Sequence, residues 1–168
     1  TSDMRRKAKT VNFGIIYGIS DYGLSENLHS SPKEAKQFID RYFLNFPRVK
    51  EYMEKAVENA KKTGEVRTLF GRKRKIPELF SSNYMTRSFG ERAAINTPLQ
   101  GSAADIIKAA MIKVYESLKS TGAKLILQIH DELIVESPDE EVENVKKILV
   151  GCMGNAVKLS LPLTVDVE

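Results

Sequence analysis

Leu125-Ile-Leu-Gln-Ile-His-Asp-Glu-Leu-Ile-Val-Glu136 sets three polar residues, His130, Asp131 and Glu132, between two short apolar runs. Both flanks are rich in Leu, Ile and Val, have strand length, and precede the breaker Ser137-Pro138-Asp139. The stretch therefore reads as a β-hairpin with carboxylates at its turn. A carboxylate at a tight strand junction is held on a rigid scaffold near the surface, as a metal ion and a phosphate-bearing substrate require. An ordinary polar turn would look the same over this stretch alone, so the surrounding chain must decide.

Elements on either side give the hairpin something to pack on. Upstream, a helix is expected from Pro98 to about Ser120, ending before Gly122, with Ile107, Ala110, Met111, Val114 and Leu118 on its apolar face. Downstream, Ser137-Pro-Asp-Glu140 offers a cap, a first-turn proline and a glutamate, and predicts a helix to about Lys158 that buries Val142, Val145, Leu149, Cys152, Met153 and Ala156. Leu161 to Val167 then reads as a closing strand with proline near its start, as an edge position allows.

Further upstream, Ser88 to Asn96 is helical, with a break at Thr97-Pro98. Asn96 and Gln100 carry neutral amides that suit base edges in a minor groove, and Asn96 equally suits a helix cap. Glu65 to Ile76 reads as a second hairpin turning at Phe70-Gly71, with the run Arg72-Lys-Arg-Lys75 either bordering phosphates or solvated. Two helices precede it. One opens with Ser31-Pro32-Lys33-Glu34 and carries Ala35, Phe38, Ile39, Tyr42 and Phe43; the next carries Val49, Tyr52, Met53, Ala56, Val57 and Ala60 up to Gly64. A short helical piece, Asp21 to Asn27, comes before them.

The first helix is expected over Met4 to Tyr17, capped by Ser2 or Asp3 and stopped by Gly18. Arg5, Lys9, Phe13 and Tyr17 are four apart and so form one slowly spiralling stripe. Cations at a helix N-terminus oppose the macrodipole unless an anion joins them, and a triphosphate would be such an anion. Solvated cations and core aromatics are the other reading. Gly14 inside this helix implies a close approach to its backbone.

Composition bounds the rest. The 168 residues are 42% hydrophobic, enough for a sizeable core, and no apolar run approaches the roughly 20 residues of a membrane span. Cys152 stands alone, so no intrachain disulfide is possible and a reducing cytoplasm is the default location. Residues 1–100 hold 19 Lys and Arg against 11 Asp and Glu, whereas residues 101–168 hold 7 against 11. That polarity suits a chain gripping a polyanion with one part and binding cations with the other.

Three blocks taken together carry a resemblance: Arg5-Arg-Lys-Ala-Lys9-Thr-Val-Asn-Phe-Gly-Ile-Ile-Tyr-Gly18, Glu91-Arg-Ala-Ala-Ile-Asn96-Thr-Pro-Leu-Gln-Gly101 and Gln128-Ile-His-Asp-Glu132. In this order the chain resembles the family A DNA polymerases nearly from end to end. The resemblance implies an α+β fold: mostly helical fingers over residues 1–96, then a C-terminal part of the palm over 97–168, its small antiparallel sheet made of the hairpin and the closing strand. It implies that Arg5 and Lys9 hold the dNTP triphosphate, Lys9 assisting pyrophosphate departure. Phe13 would lie against the sugar and Tyr17 at the templating base. A Phe at position 13, where some members carry Tyr, implies poor acceptance of dideoxynucleotides. Arg92, Asn96, Gln100 and His130 would contact primer-template DNA. Asp131 would bind metal beside its less essential neighbour Glu132, in a site using two Mg²⁺ ions.

One departure is expected to matter. The family's second metal-bridging aspartate, on an upstream palm strand in an Asp-Tyr-Ser-like block, has no counterpart in this sequence. The thumb, any exonuclease domain and a palm strand beside the hairpin are missing as well. The expectation is a C-terminal part of a longer or split polymerase, inactive alone and partnered by an upstream palm and thumb portion. A catalytically silent nucleic-acid-binding module is the alternative. A His-Asp phosphohydrolase would need further ligands, and the other histidine, His29, lies in a polar loop.

Overall fold

A computed structural model describes residues 2–168, the side chain of Asp3 excepted. Ser2 and Asp3 both lie inside the first helix, so neither is the cap expected of them. The chain folds as two compact units, residues 1–99 and 100–168. It is α+β, with six α-helices and two separate two-stranded antiparallel sheets among the described residues.

In the first unit, α1 (Ser2–Ile16) ends where Gly18 turns to φ +75, and Tyr17 and Ile19 N–H groups donate back to Phe13 and Gly14 carbonyls at 2.9 Å. The close approach expected at Gly14 is real: a Cβ there would sit 3.1 Å from Ile19 Cγ2. Ser20 caps α2 (Asp21–Leu28) by accepting from the Gly23 N–H. The capping box forms in full at α3 (Pro32–Asn45). Ser31 accepts from the Glu34 N–H, and the Ser31 N–H donates to the Glu34 carboxylate at 3.0 Å. These bonds from Ser31, its backbone N–H first, hold the Glu34 carboxyl below the ordinary glutamate range.

Pro47 opens α4 (Pro47–Thr63), which Gly64 closes at φ +72. Strands β1 (Glu65–Arg67) and β2 (Lys73–Lys75) then pair Glu65 with Lys75, Val66 with Arg74 and Arg67 with Lys73. A 3-10 turn, Pro77–Phe80, leads to α5 (Tyr84–Leu118). Ala60, Val66, Ile76, Leu79 and Ala94 form the buried core here. The helical stripes above are only partly core: Ala35 is buried, yet Phe38 is 47% exposed. Gly90 lets α5 touch the 3-10 turn, since a Cβ there would lie 2.8 Å from the Leu79 backbone nitrogen.

The break expected at Thr97-Pro98 does not occur, because α5 continues through Pro98. Proline removes one helical N–H and pushes on the carbonyl four residues back. Side chains brace that region: the Tyr52 hydroxyl donates to the Ile95 carbonyl at 3.0 Å and Arg74 donates to the Thr97 hydroxyl at 3.0 Å. Burial pushes the Tyr52 phenol's pKa up, so it stays protonated and able to donate. Asn96 lies inside this helix and cannot be its cap.

In the second unit, β3 (Lys124–Ile129) and β4 (Glu132–Glu136) pair antiparallel, with a bulge between Leu125 and Leu127. Leu125, Leu133 and Val135 pack against a core of Val114, Leu118, Ala123, Val145 and Leu149, contributed by α5, the connection before β3, and α6 (Val142–Gly154). Each fully buried Val or Leu of that core contributes roughly 1.5–3 kcal/mol. The opposite face leaves Leu127, Ile129 and Ile134 between 42% and 51% exposed.

Two expectations for this unit need correcting. The Ser137 cap does not form. The Ser137 hydroxyl donates to the Pro138 carbonyl instead, and a 3-10 turn at Asp139–Glu141, in which Glu141 accepts from the Gly122 N–H at 2.9 Å, precedes α6. Residues 161–167 form no strand, although burial alternates from Leu163 to Glu168; no strand of the described residues pairs with them.

Candidate nucleotide and nucleic-acid interface

The first unit assembles a surface from α1, the turn after it, and α5. Lys9, Phe13 and Tyr17 form a stripe. The Lys9 ammonium lies 5.8 Å from the Phe13 ring centre, and the Phe13 and Tyr17 rings stack at 6.2 Å with 17° between their planes. Both rings are nearly half exposed, 46% and 45%, so they are not core. Exposed rings with a cation beside them can take a flat base or sugar face on one side and phosphate charge at the other. Arg5 sits one turn nearer the N-terminus and is exposed.

The α5 block meets this stripe at the turn. A Cβ on Gly18 would lie 3.1 Å from Arg92 Cγ, so only glycine gives both the positive φ and the room. The Asn96 amide donates to the Tyr17 carbonyl at 3.4 Å, a long bond, and Arg92 donates to the Ser88 hydroxyl at 2.9 Å. Asn96 Oδ1 is buried without a hydrogen-bond partner, an acceptor whose desolvation no protein group offsets. A donor from a bound base or a water would satisfy it. Gln100 is exposed on α5 and belongs to the second unit.

The second unit displays the hairpin turn. Glu132 pairs with Ile129, which leaves His130 and Asp131 as a two-residue connection. His130 takes φ +53, a left-handed value uncommon outside glycine, and its carbonyl accepts from the Gln128 side-chain amide. His130, Asp131 and Glu132 are all exposed. Asp131 and Glu132 line a groove of about 740 Å³ bounded by β4, α6 and residues 164–168. Hard carboxylate oxygens on a fixed turn are the donors Mg²⁺ takes, alongside water and phosphate oxygen. Among the described residues, however, no group of three or more His, Cys, Asp or Glu is placed to hold a metal ion, so these carboxylates fit as part of a site.

Two contributors escaped the sequence reading. Arg74 sits in a cation run that gave no sign of its reach to Thr97, and Tyr52 looked like one of a row of apolar positions. Fold and surface together describe a helical unit with a stripe of exposed cation and aromatic rings, followed by a unit with exposed carboxylates on a hairpin. A sequence profile of DNA polymerase family A matches residues 1–168, and the chain belongs to that family. It is 58% identical to DNA polymerase I of Bacillus subtilis (strain 168) and 56% identical to that of Bacillus caldotenax, in each case over 99% of this chain and 19% of the relative. The chain thus spans about a fifth of the length of these relatives. Its fold matches the POL domain of Pol1 from M. smegmatis, solved in complex with DNA primer-template and dNTP, at a TM-score of 0.94 and 43% identity over 97% of this chain and 29% of that one. No helix of the described residues is long and apolar enough to cross a membrane.

Proposed function

We propose that the chain supplies the fingers and the C-terminal part of the palm of a DNA-directed DNA polymerase, acting in template-directed nucleotidyl transfer from dNTP to a primer 3′-hydroxyl. The observation carrying this reading is the exposed Lys9, Phe13 and Tyr17 stripe abutting Arg92 and Asn96 across Gly18. In this reading residues 1–96 are fingers and 97–168 palm.

Arg5 and Lys9 neutralise triphosphate charge, and Lys9 assists departure of the pyrophosphate by protonating it. Phe13 bears on the sugar, leaving no hydroxyl there to replace a missing 3′-hydroxyl, and Tyr17 bears on the templating base. Arg92, Asn96, Gln100 and His130 hold primer-template DNA, with the buried Asn96 Oδ1 accepting from a base or its water. Asp131, with Glu132 in a lesser role, holds divalent metal. Two Mg²⁺ ions, when bound, stabilise the attacking and leaving oxygens of an in-line displacement.

Activity requires an upstream palm and thumb portion, from the same or a complementary chain. Three features support that requirement: the absence of a third carboxylate near Asp131 among the described residues, the exposed apolar face of the β3–β4 hairpin, and the groove beside residues 164–168, whose burial alternates as a strand's does. The incomplete metal cluster also favours a second reading for the isolated chain, a nucleic-acid-binding module without catalysis.

Primer extension with Mg²⁺ and dNTPs tests the proposal. The 168-residue chain alone should bind primer-template without extending it. Adding the upstream portion of a family A polymerase should restore extension, and Asp131→Asn should abolish it again. Extension by the chain alone, or restored extension that survives Asp131→Asn, would overturn the reading.

A further inference from the structure

Of the basic run Arg72-Lys73-Arg74-Lys75 only Arg74 bears on the site above, through Thr97, and the β1–β2 hairpin that carries the run has two chemically different faces. Residues two apart share a face. Val66 and its cross-strand partner Arg74 lie on one side, and Glu65, Arg67, Lys73 and Lys75 on the other. The first side is tied into the unit, with Val66 buried and Arg74 on Thr97. The second side exposes three cations around one carboxylate. Glu65 is shared by Arg67 at 2.8 Å and Lys73 at 3.6 Å, so it offsets one of three positive charges. At the tip, Phe70 is 50% exposed next to Arg72.

We propose that this face holds an unpaired polynucleotide strand, with phosphates on Arg67, Lys73 and Lys75 and a base against Phe70. The Cβ atoms that carry these side chains are spaced about 5 Å across the strands and about 6.8 Å along one strand, so that, beyond the Arg67 and Lys73 shared by Glu65, long flexible cations are spread as a chain of phosphates is. An exposed aromatic ring beside such cations is the combination single strands use, because a base must be unstacked before it can lie on a ring. A duplex offers no free base face, and an acidic polypeptide offers carboxylates but no base. The hairpin also adjoins the site already described: Arg74 bonds Thr97, whose neighbour Asn96 bonds the Tyr17 carbonyl. The inference rests on the polymerase reading, and gives template residues not yet copied a place to lie.

Fluorescence anisotropy of the whole chain with labelled oligo-dT and with blunt duplex, over a series of salt concentrations, tests this. The double variant Lys73→Gln with Lys75→Gln should weaken oligo-dT binding about tenfold and lower the slope of log affinity against log salt by about 1.4, some 0.7 per phosphate. Phe70→Ala should weaken it about tenfold with the slope unchanged. Duplex binding should change less than about twofold in both, and circular dichroism melts of both should overlay the parent's. An unchanged slope in the double lysine variant, or an equal loss for duplex in either variant, would overturn the proposal. Displacement of oligo-dT by poly-glutamate at equal charge would reassign the face to an acidic polypeptide. A parent chain that binds no DNA overturns the polymerase reading as well, whereas DNA binding indifferent to Lys73, Lys75 and Phe70 overturns this inference alone.

Discussion

Replacing Gly90 by alanine sets two known effects against each other. Alanine is favoured over glycine inside a helix by about 1 kcal/mol, which would stabilise α5. The new methyl, however, would lie 2.8 Å from the Leu79 backbone nitrogen, 3.0 Å from the Glu78 carbonyl carbon and 3.1 Å from Glu78 Cβ, where ordinary contact begins at 3.4 Å. Two of these are main-chain atoms, which cannot rotate aside, and Leu79 is a core residue at 3% exposure. Relief requires the 3-10 turn to shift, loosening Leu79 and Ile76 from Ala60, Val66 and Ala94. Overpacking of this kind typically costs about 1–3 kcal/mol, and the upper part of that range applies here. The net is a loss of about 1–2 kcal/mol, or a thermal midpoint lower by about 3–6 °C in a chain of this size. Gly151, also helical, has nothing within 4 Å of its would-be Cβ, so Gly151→Ala should raise the midpoint by about 2–3 °C. Differential scanning calorimetry of the two variants beside the parent is the assay. A Gly90→Ala midpoint at or above the parent's would refute the close approach of α5 to the 3-10 turn, and a Gly151→Ala midpoint below it would refute the open surroundings of Gly151.

Tyr52→Phe removes the donor to the Ile95 carbonyl and should cost about 1 kcal/mol in urea unfolding, with little change if that bond does not form. Ser31→Ala should cost about 1 kcal/mol through loss of the α3 cap, read from the same titrations. The Glu65 carboxyl is held below its ordinary range first by its hydrogen bond from Arg67 and then by Lys73. A depressed folded pKa contributes stability that is fully present above the unfolded value, about 4.3, and is lost as pH falls through the folded value. Melting midpoints should therefore fall below about pH 4.3, and less steeply in Glu65→Gln; equal acid sensitivity in the two would count against the pairing. With the upstream portion supplied, Lys9→Ala should slow single-turnover incorporation by about a hundredfold or more, and an unchanged rate would remove Lys9 from the chemistry.

Much of the fold could be read from local chemistry, and the misreadings have tertiary causes. The β3–β4 hairpin and the Ser31 box follow from patterns completed within a few residues. Ser137 offered the same cap pattern, but its hydroxyl turns to the Pro138 carbonyl, and Glu141, outside that pattern, ties the 3-10 turn that follows to Gly122, a contact that no local pattern displays. Pro98 was expected to end a helix on backbone grounds, yet Tyr52 and Arg74 from elsewhere in the first unit hold the residues around it. Residues 161–167 have the alternation of a strand, but alternation fixes faces and cannot supply a neighbour. In the site, spacing by four was enough to align Lys9, Phe13 and Tyr17. The meeting of Gly18 with Arg92 joins distant segments and becomes visible only after folding.

The two histidines of the chain, His29 and His130, are also its two non-glycine residues with positive φ among those described, at 52° and 53°. A side chain in that region costs of order 1–2 kcal/mol that glycine would avoid. At His29 the cost secures the end of α2, where the backbone N–H returns to the Glu26 and Ser25 carbonyls, and glycine could do the same. At His130 the connection would also be easier to close with glycine, and the proposed reading gives the imidazole a use apart from the turn, contact with primer-template DNA. The hairpin tip is thus a point where a more stable protein and a more capable one call for different residues.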